Sequence, residues 1–141
     1  MASVLTIATS RKAKVKEASV EYLRKVDFAR LAAAGDRVSQ SLLDRDSGAT
    51  SCSVNCIKTP PGEGSPAGMH THSVDQLFYI LSGTMSLEIA GQSHVAGPGT
   101  LVVFPAGVPH RNWNGGNEAT IHLAFNSPLP EQGKPFARSV Q

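Results

Sequence analysis

From Gly35 onward the chain is a succession of short apolar runs separated by glycine- and proline-containing turns. Ser82 and Gly83 join two apolar runs as a β-hairpin turn does, and PPGEGSPAG at 60–68 forms a longer loop that a strand does not accommodate. Short strands at regular spacing, without interleaved helices, predict an all-β sandwich or small barrel. The predicted strands are Val38–Asp44, Ser51–Thr59, Met69–His72, Leu77–Ser82, Met85–Ala90, Ser93–Val95, Thr100–Phe104, His110–Asn114 and Thr120–Asn126.

Residues 1–36 have a different pattern, which predicts a short N-terminal helical segment. Ala13–Arg24 contains good helix formers with apolar residues on one side. Asp27 is a candidate N-cap for a second short helix over FARLAAA, which Gly35 would end. The polar, proline-containing residues after Asn126 predict a surface arm. We therefore divide the chain into an N-terminal arm with short helices (1–36), a β-domain (37–127) and a C-terminal tail (128–141).

Composition and charge limit the classes of function. The 141 residues are 40% hydrophobic and 17% charged, which is typical of a compact body, and the net charge of only +2 does not indicate a nucleic-acid partner. No apolar run approaches the roughly 20 residues of a membrane helix, so we expect no membrane partner. Cys52 and Cys56 share a predicted strand and lie about 13 Å apart, too far for a disulfide, so we expect free thiols and a cytoplasmic location.

Histidines in two separate blocks predict a metal site. His70 and His72 lie on one predicted strand, where alternate residues face the same side, and Gln76 follows at the start of the next strand. His110 begins a strand much further along the chain. If the sheet closes into a barrel, these four side chains converge inside it. Three imidazoles and an amide oxygen suit a divalent transition metal such as zinc, nickel, iron or manganese.

The two histidine blocks resemble the two signature motifs of the cupin superfamily. The first motif here has Gly64, His70, His72, Gln76 and Gly83 at intervals of five, one, three and six residues. The second has Gly99, Pro105, Gly107, His110 and Asn114 at intervals of five, one, two and three residues. The resemblance implies a cupin-type jelly-roll β-barrel of a small single-domain kind. It says little about the reaction, because cupins range from dioxygenases and isomerases to non-catalytic binding proteins.

Gln76 departs from the family pattern, which usually has glutamate there. A neutral amide oxygen is a poorer ligand than a carboxylate, so a bound metal would keep its full 2+ charge and be the stronger Lewis acid. The site also differs from the two-histidine, one-carboxylate triad of non-haem iron oxygenases. These differences favour polarising chemistry over oxygen activation. Both remain open, because some cupin dioxygenases use three histidines alone, and some cupins with three histidines and a glutamine resemble zinc-binding polyketide cyclases.

The residues around this site predict a small-molecule pocket. Phe78, Ile80 and Asn112 are candidate pocket residues, and core packing explains Phe78 and Ile80 equally well. His122, on another strand, is a candidate catalytic proton carrier. The leading hypothesis is a metal-dependent enzyme acting on a small organic substrate through a carbonyl or enol oxygen, by Lewis-acid or dioxygenase chemistry. The metal would polarise that oxygen, and a metal-bound hydroxide or His122 would move a proton.

Two further features of the protein stay open at this stage. A non-catalytic cupin module that binds a metal or a small ligand is the alternative function, because no residue besides the ligands is a dedicated acid or base. Cupins commonly pair, so the resemblance also implies a homodimer, in which Ser3–Ala8 would add a strand to a partner's sheet.

Overall fold

The structure, a computed structural model, describes residues 20–64 and 66–141 and contains ten strands in this part of the chain. The strands pair antiparallel in two five-stranded sheets, ordered β1-β2-β9-β4-β7 and β10-β3-β8-β5-β6. Their bounds are β1 Val38–Leu43, β2 Ser53–Thr59, β3 His70–His72, β4 Asp75–Ser82, β5 Met85–Ile89, β6 Gln92–Ala96, β7 Leu101–Phe104, β8 His110–Trp113, β9 Thr120–Ser127 and β10 Ala137–Ser139. The predicted all-β fold is confirmed as a jelly-roll-like arrangement of two sheets. A closed barrel remains a prediction.

The hydrophobic core lies between the two sheets. Strand β4 shows how the sequence produces it, because Gln76, Phe78 and Ile80 are buried while Tyr79 on the alternate face is exposed. The buried apolar cluster takes side chains from both sheets, namely Ile57, Phe78, Ile80, Val102, Phe104 and Ala124 from the first and Met85, Leu87 and Ala96 from the second. The inward faces also carry the buried polar side chains that form the candidate site.

The nine predicted strands are all present, each within two residues of its predicted bounds. The C-terminal residues differ from the predicted surface arm. Strand β10 pairs with β3, so that Ala137 lies opposite His72 and Ser139 opposite His70. Only three residues of β10 form this ladder, too few for an alternation of apolar and polar residues to indicate a strand.

The helical content of the described residues is smaller than predicted. One five-residue α-helix, α1, spans Phe28–Ala32, and a 3₁₀ turn spans Arg45–Ser47. Asp27 caps α1 as predicted, because its carboxylate accepts a hydrogen bond from the Arg30 amide at 3.1 Å. The helix ends at Ala32, with Ala33 as its C-cap, and does not extend to Gly35.

The predicted helix over Ala13–Arg24 is wrong for its last five residues, and residues 13–19 lie outside the described part of the chain. Residues 20–24 are irregular, and the Arg24 guanidinium donates hydrogen bonds to the Leu42 carbonyl and to the Ser47 hydroxyl. These tertiary contacts hold the segment against β1 and the 3₁₀ turn, and they override a weak helix propensity. No helix among the described residues has the length and apolar character needed to cross a bilayer.

Candidate metal centre

Two strands of the second sheet bring three histidines together. His70 and His72 alternate on β3 and therefore share a face, and His110 on β8 pairs directly with His70 across the ladder. The ring centroids lie 4.9 Å apart for His70 and His72, 4.4 Å for His70 and His110, and 4.9 Å for His72 and His110. One ring nitrogen from each histidine lies within 4.8 Å of the others, and all three side chains are buried. The antiparallel register thus joins positions forty residues apart in one cluster, here called the histidine cluster.

Backbone carbonyls fix the orientation of all three rings. The Nδ1 atoms of His70, His72 and His110 lie 3.0, 2.9 and 2.9 Å from the carbonyl oxygens of Gly68, Phe136 and Val108, respectively. A carbonyl only accepts, so each neutral ring carries its proton on Nδ1 and keeps a lone pair on Nε2. The buried Nε2 atoms of His72 and His110 have no hydrogen-bond partner in residues 20–64 and 66–141.

These orphaned nitrogens fit a metal ion. An unpaired polar atom in a protein interior costs free energy. A divalent cation can accept the lone pairs of several converging nitrogens at once, and so removes this cost. Metal-bound histidines usually donate their other ring N–H to a carbonyl or carboxylate, as each histidine of the cluster does. Neutral imidazoles suit zinc, nickel, copper and iron.

Burial disfavours the charged forms of two members of the histidine cluster. It lowers the pKa of His72 below the ordinary value, partly opposed by the hydrogen bond to the Phe136 carbonyl. Burial also lowers the pKa of His110 to about 4, partly opposed by the hydrogen bond to the Val108 carbonyl. Protons therefore compete weakly with a metal for these two nitrogens near pH 7.

Gln76 lies beside the histidine cluster, at the start of β4. Its side chain is buried, and its amide nitrogen donates to Asn126 Oδ1 at 3.0 Å, while Asn126 Nδ2 donates to Ser53 Oγ at 3.1 Å. The Gln76 amide nitrogen is therefore occupied by its hydrogen bond to β9. The amide oxygen has no hydrogen-bond donor among the described residues and is available as an acceptor. The side chain lies near enough to His72 to influence the pKa of that ring, which places the amide next to the cluster.

A cavity of about 190 Å³ adjoins the site between the inward faces of the sheets. Four of the residues singled out in the sequence line it, namely Gln76, Phe78, Asn112 and His122. Ile80 was predicted to line the pocket, but it lies fully buried in the hydrophobic core and does not contribute to the cavity wall. Ile80 lies on the inward face of β4, two residues beyond Phe78, where it packs against other core side chains.

His122 on β9 is the buried histidine of the cavity wall. Its ring is 2% exposed and 4.3 Å from the Phe78 ring, and neither of its nitrogens has a hydrogen-bond partner in the described chain. Burial, aided by the positive charge of Arg37, lowers the pKa of His122 to about 4. At neutral pH this ring is therefore uncharged, with one nitrogen a donor and the other an acceptor.

His122 should make the stability of the fold depend on pH on the acid side. Because its pKa is about 4 in the folded protein and 6.5 in an ordinary environment, the unfolded chain binds a proton between these values that the folded chain does not. The stabilisation is complete above pH 6.5 and is lost as the pH falls towards 4. Between pH 6.5 and pH 5 we expect this residue to lower the free energy of unfolding by about 2 kcal/mol.

Urea unfolding of metal-free protein at the two pH values measures this effect. A His122→Gln variant lacks the titrating group and should show a smaller loss of stability on acidification, whereas His94→Gln, which changes an exposed histidine, should behave as the parent does. An identical acid-side loss in His122→Gln and the parent would contradict the assignment.

Three residues near the site were not predicted from the sequence. Phe136, just before β10, stacks on His72 with ring centroids 4.2 Å apart and supplies the carbonyl for its Nδ1. Asn126 orients Gln76, and Arg37 lines the cavity. The alternation on β9 could have indicated Asn126, because it shares the inward face of that strand with His122.

Together, the fold and the site define a class of protein: a two-sheet β-sandwich with a buried histidine cluster beside a small cavity. The cupin domain family matches residues 56–125, a range that includes the three histidines and Gln76. No match was found among curated protein sequences. By this family match the chain belongs to the cupin superfamily, and solved cupin structures share its fold.

Three of those solved structures show the range of the fold. An RmlC-like cupin from Methanocaldococcus jannaschii has a TM-score of 0.64 at 21% identity, over 79% of this chain and 94% of its own. The polyketide cyclase RemF from Streptomyces resistomycificus has a TM-score of 0.64 at 24% identity, over 84% and 80%. A protein provisionally named a sugar phosphate isomerase, from Acidithiobacillus ferrooxidans, has a TM-score of 0.57 at 28% identity, over 66% and 60%.

Proposed function

We propose that this cupin is a metal-dependent enzyme that acts on a small organic molecule through a carbonyl or enol oxygen, by Lewis-acid chemistry. His70, His72 and His110 would hold the metal through Nε2, with the Gln76 amide oxygen as a fourth ligand. The observation that carries the proposal is the buried, unpartnered Nε2 atoms of His72 and His110, which lie in a cluster adjoining a cavity that shares Gln76.

The proposed ligand set is neutral throughout, which decides the kind of chemistry. A divalent metal bound here supplies Lewis-acid polarisation of a substrate oxygen. Gln76 contributes a dipole without charge, and the Asn126 hydrogen bond holds its oxygen in one orientation. A carboxylate at the same position would cancel part of the cation's charge and weaken its pull on the substrate.

His122 is the proposed catalytic proton carrier. One of its ring nitrogens carries a proton and the other a lone pair, and no group in the described chain occupies either. The ring can therefore take a proton from a substrate atom at one nitrogen or give one from the other. Phe78 and the walls of the cavity keep the ring away from bulk water.

The known proteins of this fold are compatible with such a reaction. Among the solved structures of the same fold, one is named a polyketide cyclase and another, at 28% identity, is provisionally named a sugar phosphate isomerase. Cyclase and isomerase chemistry are therefore the reaction classes that we assign to this chain in preference to dioxygenase chemistry.

The variant Gln76→Glu tests the choice between polarising and oxygen-activating chemistry. The introduced carboxylate can accept a hydrogen bond from the Asn126 amide nitrogen if the Asn126 side-chain amide rotates by about 180°. We therefore expect the variant to fold. The added charge should raise affinity for iron(II) about tenfold and confer iron-dependent oxygen uptake that the parent lacks. Metal titration by calorimetry and an oxygen electrode measure the two effects.

Gln92→Glu, at an exposed position on β6, adds the same charge outside the site and should leave both measurements unchanged. Iron-dependent oxygen uptake by the parent protein would contradict the polarising assignment. Metal binding without turnover of any carbonyl substrate would favour a non-catalytic binding module.

We also propose that the protein is a homodimer that pairs through the outer face of its first sheet. The Ser3–Ala8 segment, which was predicted to add a strand to a partner's sheet, lies outside the described residues. The outer face carries Tyr79, Leu101 and Val103 on adjacent strands, 39%, 56% and 48% exposed. An apolar face of this kind is typical of subunit contacts.

Charge substitutions with a matched control test the dimer. Val103→Lys should shift the mass measured by sedimentation equilibrium from dimer to monomer, because it places a charge in the proposed contact. Val95→Lys changes a 75% exposed valine on β6 of the other sheet and should leave the mass unchanged. A parent protein that sediments as a monomer would rule the proposal out.

A further inference from the structure

Arg37 is the one charged residue that lines the cavity in the described part of the chain. It immediately precedes β1, it is exposed, and it forms no salt bridge with a described residue. No aspartate or glutamate among the described residues lines the cavity wall. The cavity therefore has an unneutralised cation at its solvent-accessible side, where an incoming molecule first meets the protein.

The interior of the cavity holds no negative charge from the described residues that would balance this cation. The side chains that are buried there and carry polar atoms include the neutral Gln76, Asn112, His122 and Asn126. With a divalent metal in the proposed site, an occupant of the cavity would experience positive charge from the metal as well as from Arg37. An anionic occupant would be attracted by both, and a cationic occupant would be repelled by both.

His122 supplies a second, independent indication of a ligand. A buried imidazole with two nitrogens that find no partner in the described chain loses its hydrogen bonds with water unless something in the cavity replaces them. Arg37 and His122 line the same cavity, and burial of the ring, aided by the Arg37 charge, keeps the imidazole neutral. A molecule bound between them can pair with the guanidinium through an anionic group and hydrogen-bond to the imidazole through another oxygen.

The size of the cavity limits this molecule. Its volume of about 190 Å³ is below the roughly 300–1,000 Å³ of pockets that hold drug-sized ligands. Aliphatic and aromatic walls formed by Ile57, Phe78 and Ala124 leave room for a short carbon skeleton in addition to the polar groups.

We propose that the substrate is a small organic anion, a short-chain compound with one carboxylate, and that Arg37 is the residue that selects for its charge. Arg37 binds the carboxylate at the open side of the cavity, while the carbonyl or enol end of the molecule lies towards Gln76 and the histidine cluster. This inference rests on the proposed function for the position of the carbonyl end, whereas the recognition of charge depends on Arg37 itself.

A pair of isosteric probes tests the inference. Pyruvate and pyruvamide have nearly the same shape, and they differ in that a carboxylate oxygen of the first is replaced by an uncharged amide nitrogen in the second. Calorimetric titration of zinc-loaded protein should give an affinity for pyruvate that exceeds that for pyruvamide. In Arg37→Gln we expect the affinity for pyruvate to fall about fivefold or more, with the affinity for pyruvamide unchanged.

Arg30→Gln is the matched control, because Arg30 lies on α1 and does not line the cavity. It should bind both probes as the parent does. Equal affinities of the parent for the two probes, equal losses in both arginine variants, or no detectable binding of pyruvate would each overturn the inference.

Titrations of metal-free protein separate this inference from the proposed function. A protein that binds no zinc but still prefers pyruvate, with the preference lost in Arg37→Gln, would contradict the metal-dependent function and support the role of Arg37. A protein that binds zinc and shows no effect of Arg37→Gln would leave the metal site intact and overturn the inference.

Discussion

Replacing His110 with alanine is expected to lower the affinity for zinc at least 100-fold and to abolish stoichiometric metal in protein reconstituted with zinc. His110 is the one member of the histidine cluster that comes from β8, and its Nε2 is buried without a partner in the described residues. Loss of an outer-shell partner alone costs about 10–100-fold in metal affinity, and loss of a direct ligand should cost more. Mass spectrometry of bound metal and calorimetric titration with zinc provide the measurements.

His94→Ala is the matched control for this substitution. His94 lies on β6 with an exposed side chain, so its loss removes an imidazole without touching the site. The control should retain the zinc stoichiometry and affinity of the parent. Circular dichroism of both variants verifies that each keeps its β-structure, and a folded His110→Ala protein that binds zinc as tightly as the parent would refute the proposed centre.

The second large effect is expected on folding, from the glycine that joins β4 and β5. Gly83 has a φ of +73°, and a Cβ atom there would lie 2.5 Å from the Ala119 carbonyl oxygen and 3.0 Å from Thr120 Cα. Both contacts are with backbone, which cannot move away as the end of a flexible side chain would. We expect Gly83→Ala to lower the free energy of unfolding by about 3 kcal/mol, combining left-handed backbone strain with overpacking.

Gly91 separates the two contributions. It joins β5 and β6 with a φ of +80°, yet a Cβ atom there meets nothing within 4 Å. Gly91→Ala therefore bears the backbone strain alone and should cost about 1 kcal/mol. Urea unfolding of the two variants and the parent measures both values. Equal losses at the two glycines would show that the close approach to Ala119 contributes nothing.

Gly83 also shows what a motif residue does physically. The sequence predicts a hairpin turn at Gly83. In the structure, the turn after β4 also passes close to the backbone of Ala119, which immediately precedes β9. Gly64, the first glycine of the same motif, has a related role, since a Cβ there would lie 2.3 Å from the Asn112 carbonyl oxygen. Both glycines thus permit close backbone contact beside strands that carry site residues.

Local patterns were sufficient to predict nine of the ten strands of the described chain, and motif spacing was sufficient to predict the histidine cluster. His70 and His72 share a face because side chains alternate on a strand, and the cupin-like spacing placed His110 with them. The Asp27 cap was likewise predictable, since the acceptor and its amide donor are three residues apart. In each of these cases the deciding interaction is local, or it is encoded in a motif of specific residue spacing.

The tertiary structure decided the rest, because the remaining interactions join residues far apart in sequence. Alternation placed Phe78 and Ile80 on one inward face, but only the packing of the two sheets put one beside the cavity and the other in the core. Arg24 lies outside a helix because its guanidinium donates hydrogen bonds to acceptors 18 and 23 residues away. Phe136 meets His72 across 64 residues, and Arg37 reaches the cavity because β1 lies at the edge of the first sheet. Sequence periodicity specifies which side of a strand a residue faces, but the identity of its neighbours there depends on strand order and sheet packing, which are non-local.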